Sequence, residues 1–263
     1  MLARAKGVVK SLVGRMVFGS RLDRVLLDDS ALVVAFHRVN DTLQDGLTCD
    51  VATFARYCEF FARHFRVVSL TEVVNKLRAG EQCNRELAIT FDDGYRDNYE
   101  NAAPILQRMN LPATFFVVSR FVGTDIVPWW DEHLAVRQSW MSWDQVAGLH
   151  RAGFEVGSHT SSHVDLGQVP AEQAWPEIVQ SRAELEERLG APVTLFAYPY
   201  GDANRMTEKH RAFVQEAGYR CCCSCFGGLN ARDTDPFRLR RIPVSSWYRS
   251  PYDFGFQVAA RRA

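Results

Sequence analysis

Residues 86–95 read ELAITFDDGY, and this stretch is the clearest guide to the architecture. Glu86–Phe91 is short and apolar enough to be a buried strand, and it ends in two adjacent carboxylates, Asp92 and Asp93. Gly94 permits a tight turn that leaves both carboxylates exposed. In an α/β barrel the functional groups lie at the carboxyl ends of the strands. On its own an Asp-Asp-Gly sequence is as often an ordinary turn, so the motif needs support from elsewhere in the chain.

Short apolar runs alternate with segments of helical period along most of the chain. Further strands are predicted at residues 31–37, 66–70, 113–118, 154–158, 194–198, 219–223 and 239–244. Helices are predicted between them, for example at 51–65, 98–110 and 171–189. Seven or eight strands with intervening helices favour one parallel, barrel-like α/β domain.

Composition limits the classes of function. The chain has 263 residues, with 31 basic and 31 acidic side chains, and this balance offers no electrostatic footprint for nucleic acid. No apolar run approaches the roughly 18 residues that a membrane-spanning helix needs. Seven cysteines are an odd number, and four of them crowd into residues 221–225. We therefore expect a reducing, cytoplasmic location.

Residues 1–28 are predicted to be a basic amphipathic segment, distinct from a domain at 29–263. The segment has one apolar helical face and a run of basic residues: Arg4, Lys6, Lys10, Arg15, Arg21 and Arg24. Three interpretations stay open. The segment is a helix packed on the domain, an interfacial helix that associates with an anionic membrane surface, or a poor signal or mitochondrial-type presequence.

A second group of polar residues follows the predicted strand at 154–158. His159 and His163 are four residues apart, so one helical turn can direct both at one ion. Such a pair alone is more often incidental, but here it follows a strand directly, as Asp92 and Asp93 do. One Asp with two His leaves open positions on a divalent metal for water and substrate. The pattern therefore indicates a catalytic rather than a structural metal site.

A third motif, FAYPYG at residues 196–201, also lies at a strand end. Pro199 and Gly201 give a rigid loop that could direct a backbone N–H at a developing oxyanion. Without the other two motifs, an ordinary turn would be the preferred interpretation.

These three blocks, in this order, closely resemble the NodB-type polysaccharide deacetylase family. The sequences TFDDG at 90–94, SHTSSH at 158–163 and FAYPYG carry the resemblance, which extends over residues 33–244. It implies a distorted (β/α)₇ barrel, with 29–263 as the catalytic domain and Asp92 as the general base. It also implies that Asp93, His159 and His163 bind Zn²⁺ or a similar divalent metal. The backbone N–H of Tyr200 would help to hold the oxyanion.

Two departures from the family pattern concern the general base and the general acid. The arginine that usually begins the third motif and pairs with the base is replaced by Ala197, and Arg240 or Arg241 is the candidate substitute. The late Leu-x-x-His, which carries the general acid, is missing, because no histidine follows His210.

The predicted first strand supplies a histidine for the missing acid. It ends in Val34-Ala35-Phe36-His37, and closing a barrel makes the first and last strands neighbours. The chain therefore resembles the circularly permuted branch of the family, which includes poly-β-1,6-N-acetylglucosamine deacetylases. His37 is the candidate general acid; the alternative is a structural histidine at a strand end.

The resemblance implies metal-dependent removal of N-acetyl groups from an N-acetylhexosamine-containing polysaccharide, oligosaccharide or precursor. Two alternatives remain: an amide hydrolase acting on a lipid-linked sugar, and a catalytically silent glycan-binding barrel. The N-acetylated glycan is the expected partner. The residues predicted to contact it are Trp129, Trp130, Tyr95, Pro199 and Arg241.

Overall fold

The computed structural model describes residues 2–260, and their side chains from residue 7 onward. The α-helices are α1 Leu2–Gly19, α2 Asp23–Leu26, α3 Val51–His64, α4 Leu70–Ala79, α5 Ala103–Arg108, α6 Trp143–Arg151, α7 Ala171–Leu189, α8 Glu208–Glu216 and α9 Pro251–Ala260. The strands are β1 Ala31–Phe36, β2 Arg38–Val39, β3 Thr48–Cys49, β4 Arg66–Val67, β5 Glu86–Phe91, β6 Thr114–Val117, β7 Glu155–Ser158 and β8 Ile242–Pro243.

The predicted helix boundaries have local chemical causes. The Ser69 side chain accepts a hydrogen bond from the Glu72 amide and begins α4, and Gly80 ends it with a left-handed φ of 66°. Ser142 and Gln145 form a reciprocal capping box at the start of α6. These contacts fix where α4 and α6 begin and where α4 ends.

The main sheet is parallel, with strand order β7-β6-β5-β1-β8, and β4 pairs with the first residues of β5. β1 and β5 are paired along their whole length, from Ala31 opposite Glu86 to Phe36 opposite Phe91. All residues of both strands are buried, as expected for parallel strands covered on two faces. The carboxyl ends of β1 and β5 therefore finish side by side.

Single parallel bridges continue this sheet and close it into a barrel. Ser158 pairs with Phe196, Ala197 with Cys223, and Cys223 with Leu239, which lies three residues before β8. Since β8 pairs with β1, seven segments form a closed ring. The barrel and the pairing of first and last strands are confirmed. At 194–198 and 219–223, where strands were predicted, the structure has isolated bridges. Too few consecutive residues there form hydrogen bonds with the neighbouring segment.

The N-terminal helix α1 packs on α9 and α3. Phe18 is buried against Phe60 and His64, with ring centroids 5.0 Å from each. A side chain at Gly14 would collide with the carbonyl oxygen of Tyr252, so glycine permits the close approach of α1 to α9. The helix α1 thus packs on the domain; its association with a membrane surface and a domain boundary at residue 28 stay predictions. Among residues 2–260 no helix has the length and apolar character to cross a bilayer.

Candidate metal centre and catalytic site

Asp93, His159 and His163 meet at the carboxyl ends of β5 and β7. Their ligand atoms all lie within 4.8 Å of one another, and all three residues are buried. Asp93 Oδ1 is 3.4 Å from His159 Nε2 and 3.3 Å from His163 Nε2. The structure thus brings together the three residues that were predicted to bind a metal.

The hydrogen bonds around this cluster fit a divalent cation. His159 Nδ1 lies 2.7 Å from the carbonyl oxygen of Ala197 and must donate to it, which leaves the Nε2 lone pair directed towards Asp93. Within the described residues, Asp93 Oδ1 is buried without a hydrogen-bond partner of good geometry. A buried carboxylate oxygen normally has a partner, and a cation between these three atoms would supply one.

Three of the predicted site residues have a backbone conformation that non-glycine residues rarely adopt. The φ angles of Asp93, His163 and Tyr200 are 73°, 59° and 65°. Each such residue costs about 1–3 kcal/mol and persists only where the surroundings impose it. Such strained residues concentrate at functional sites, which supports a functional interpretation of these three strand ends.

Asp92 lies beside the cluster and forms a bidentate ion pair with Arg241. The guanidinium Nη1 and Nη2 atoms are 2.7 and 2.8 Å from Oδ1 and Oδ2 of Asp92, and Arg241 is fully buried. Burial raises the pKa of Asp92, but the nearby Arg241 and His159 more than offset this and hold the pKa below its ordinary value. Asp92 is therefore ionised at neutral pH.

This ion pair shows which arginine takes the place of the one that the third motif lacks at Ala197. Arg241, and not Arg240, pairs with Asp92; its Nη1 also donates to Thr90 Oγ1 at 3.0 Å. Arg241 was predicted to contact the substrate, and this assignment is corrected, because its guanidinium lies behind Asp92 and does not line the cavity.

A cavity of about 320 Å³ opens above the cluster. Of the residues predicted to function, it is lined by His37, Asp92, Asp93, Trp129, Trp130, His159, His163 and Tyr200. His37 follows β1 directly, and the Asp92 amide donates to the Phe36 carbonyl at 2.9 Å, so His37 and Asp92 emerge side by side. Their catalytic roles remain predictions.

Tyr95 and Pro199 were predicted to contact substrate, but both are buried outside this cavity. The Tyr95 hydroxyl donates to Asp131 Oδ2 at 2.8 Å and accepts from Trp130 Nε1 at 3.0 Å. Tyr95 is therefore an internal support for Trp130 rather than a surface for the substrate.

The buried Arg38 extends this support to a second loop. Its guanidinium donates to Asp131 Oδ1 at 2.5 Å and to Asp45 Oδ2 at 2.7 Å, and it also contacts the Tyr95 hydroxyl. Trp130, held by this network, packs on His163 with ring centroids 4.4 Å apart. Arg38 therefore ties the loops on two sides of the cavity together, and sequence analysis did not assign it this role.

Trp247 is a cavity residue that sequence analysis missed. It is 58% exposed, lies against Gly46 and lines the cavity together with Trp129, which is 66% exposed. Its position in the sequence could have indicated this place, because Trp247 follows the last strand and loops after barrel strands lie on the functional face. Two tryptophans and Tyr200, which is 36% exposed, therefore offer flat apolar faces at the cavity opening.

The fold is a closed parallel barrel, and its strand ends carry a buried Asp-His-His cluster and an ion-paired carboxylate. These features define a class of α/β barrels with a candidate catalytic metal centre. Residues 79–222 match the family model described as polysaccharide deacetylase. The match covers more than half of the chain, and the chain belongs to the polysaccharide deacetylase family.

Individual relatives agree with this assignment. The chain is 26% identical over 240 residues to a poly-beta-1,6-N-acetyl-D-glucosamine N-deacetylase of Escherichia coli, a match that covers 78% of this chain and 35% of that protein. It is 24% identical over 237 residues to a protein of the same name from Staphylococcus epidermidis, covering 83% of this chain and 80% of that protein. The chain spans 53% of the Bacillus subtilis protein YxkH, to which it is 28% identical over 64% of its own length.

Solved structures show the same fold. IcaB from Ammonifex degensii superposes with a TM-score of 0.72 at 24% identity, covering 89% of this chain and 97% of that one. Streptococcus pyogenes deacetylase PplD, in complex with acetate, gives a TM-score of 0.73 at 20% identity, covering 86% and 96%. At this level of identity the likeness establishes the barrel fold.

Proposed function

We propose that this chain is a divalent-metal-dependent de-N-acetylase that hydrolyses N-acetyl groups on an N-acetylglucosamine-containing polysaccharide or oligosaccharide. The observation that carries the proposal is the buried Asp93–His159–His163 cluster, which lies directly beside the ion-paired Asp92 at the floor of an aromatic-rimmed cavity. A protein that only binds glycan needs neither the cluster nor an ionised carboxylate held by a buried arginine.

Each residue has a distinct role in the proposed hydrolysis. A divalent cation, most simply Zn²⁺, would polarise the amide carbonyl and make a neighbouring water more acidic. Asp92, kept ionised by Arg241, accepts the proton of the attacking water. The Tyr200 backbone N–H donates to the developing oxyanion. His37 then gives a proton to the departing sugar nitrogen, so that the products are acetate and a free amine.

The substrate proposal draws on the cavity and on the relatives. Trp129, Trp130 and Trp247 provide aromatic faces on which a pyranose ring can stack. The Escherichia coli and Staphylococcus epidermidis relatives are named for poly-β-1,6-N-acetyl-D-glucosamine, which makes this polymer the first to test.

The direct experiment incubates purified protein, loaded in turn with Zn²⁺, Co²⁺, Ni²⁺ and Mn²⁺, with β-1,6- and β-1,4-linked N-acetylglucosamine oligomers. We expect stoichiometric amine and acetate release that a chelator abolishes and added metal restores. Glycan binding without release in every metal form would instead identify a silent binding barrel.

A lipid-linked N-acylated sugar is a second candidate substrate class, favoured by four exposed apolar residues of α1: Val8, Val9, Leu12 and Met16. The test compares deacetylation or deformylation of an undecaprenyl-linked sugar with that of soluble oligomers. The comparison distinguishes the two substrate classes. A strong preference for the soluble oligomers would exclude this second class.

His37→Ala should keep metal and fold but lose about 10²–10⁴-fold in turnover, the contribution of a general acid. The loss should shrink with aryl acetamides, whose better leaving groups need less protonation. His133→Ala is a matched control, because His133 is exposed and lies outside the cavity. Normal turnover in His37→Ala would favour a structural histidine at the strand end.

Trp247→Ala should raise KM for oligomers by about 2–10-fold with little change in kcat, since one aromatic contact contributes about 0.5–1.5 kcal/mol. Trp247→Phe, which keeps a flat face, should restore most of the affinity. Steady-state kinetics on oligomers of increasing length measure both constants. An equal effect of the Phe and Ala variants would mean that Trp247 acts only through the loop at Gly46.

A further inference from the structure

The side of α1 that faces away from α9 is apolar and unpartnered. Val8, Val9, Leu12 and Met16 are 53%, 58%, 57% and 71% exposed, and these four residues are called the outer face here. The opposite side of the helix is the one that packs, through Gly14 and Phe18. Four large apolar side chains exposed in a row indicate a binding surface rather than the scattered exposure of a normal protein surface.

A basic cavity of about 320 Å³ lies at the C-terminal end of the same helix. Arg21, Arg24 and Arg63 line it, and no carboxylate of the described residues forms an ion pair with any of the three. The acid in its wall, Asp23, is buried and paired with Arg85 at 2.8 Å. The cavity therefore presents three uncompensated guanidinium groups.

The outer face and this cavity form one continuous surface. Gly19 lines the cavity, and helical periodicity places it on the same side of α1 as Leu12 and Met16. Arg15 lies over the ring of Tyr252 at 4.9 Å, and Tyr252 also lines the cavity. Apolar side chains and arginines are thus arranged next to each other, as in helices that lie in a membrane interface.

We propose that this surface binds an anionic phospholipid bilayer. The outer face inserts at the headgroup–acyl boundary, and Arg21, Arg24 and Arg63 bind lipid phosphates, for which the planar guanidinium is suited. Charge favours this occupant over a second copy of the chain. The sequence is basic towards both ends of α1, so a symmetric contact in either helix direction would bring like charges together. The proposal does not depend on the activity of the catalytic site.

The test uses the full chain and sedimentation with vesicles of phosphatidylcholine alone or of equal parts phosphatidylcholine and phosphatidylglycerol. We expect binding to the anionic vesicles that weakens as salt is added. Arg21→Gln with Arg24→Gln should weaken it about 30-fold, which corresponds to about 1 kcal/mol for each basic residue at the surface. Leu12→Gln with Met16→Gln should also weaken binding, at low and high salt alike. Point changes are needed, because removing α1 would expose the core contacts of Phe18.

Matched controls use exposed residues elsewhere on the surface. Arg78→Gln with Arg108→Gln, and Val136→Gln, should leave vesicle binding unchanged, and circular dichroism should show that every variant is folded. Equal binding to neutral and anionic vesicles would overturn the proposal, as would full binding by either α1 variant. A dimer in solution that Leu12→Gln with Met16→Gln dissociates, without any vesicle binding, would assign the surface to a second copy instead.

Discussion

His163→Ala should release the metal and lower turnover by about 10³-fold or more. His163 Nε2 is one of three ligand atoms in the cluster, and its loss leaves two. A metal that polarises a carbonyl contributes several kcal/mol to the transition state, and each 1.4 kcal/mol or so is tenfold in rate. Metal content after dialysis and amine release are measured on the same sample.

His150→Ala is the matched control for this change, because His150 is exposed on α6, away from the cavity. It should retain both metal and turnover. His159→Ala should fail as His163→Ala does, and excess Zn²⁺ should rescue either variant only weakly. Wild-type metal occupancy in either would show that the assigned ligand set is wrong.

Asp92→Asn and Asp93→Asn should fail in different ways. Asp92→Asn should keep the metal and lose about 10²–10⁴-fold in turnover, the contribution of a general base. Asp93→Asn should lose the metal itself, since a neutral amide is a poor ligand beside two imidazoles. Metal analysis and single-turnover kinetics separate the two outcomes, and equal metal loss in both would contradict this division.

Because Asp92 is paired with Arg241, Asp92→Asn should also lower the free energy of unfolding. Removing the carboxylate leaves a fully buried guanidinium without its counter-ion, a change that typically costs about 3–5 kcal/mol. Asp92→Asn with Arg241→Gln removes both charges and should recover much of the free energy of unfolding without recovering turnover. Recovery of turnover as well would show that Asp92 matters only for folding.

Much of the barrel and most of the site follow from local sequence. Parallel strands end on one edge, so polar residues directly after β1, β5 and β7 were expected to meet, and His37, Asp92, Asp93, His159 and His163 line one cavity. The alternation of strands and helices favours a parallel barrel, and in such a barrel the residues that follow the strands lie at one end.

The errors concern contacts between residues distant in sequence. Neighbouring residues of a strand point to opposite faces, and without the phase of the last strand Arg240 and Arg241 could not be distinguished. Tyr95 follows the DDG turn closely, yet its hydroxyl is taken up by Asp131 in a later loop. Such distant partners decide which aromatic side chains face the cavity. Contacts of this kind produce no periodic pattern in the sequence.

The pairing of β1 with both β5 and β8 has a consequence for how the protein is made. On the ribosome, Asp92 and Asp93 are synthesised long before Arg241, which lies just ahead of the last strand. Until that strand emerges, the barrel is open beside β1, and the Asp92 carboxylate has no counter-ion. Contacts this distant in sequence form slowly. We therefore expect a nascent chain halted before residue 239 to remain protease-sensitive, and the catalytic pocket to be among the last parts of the molecule to form.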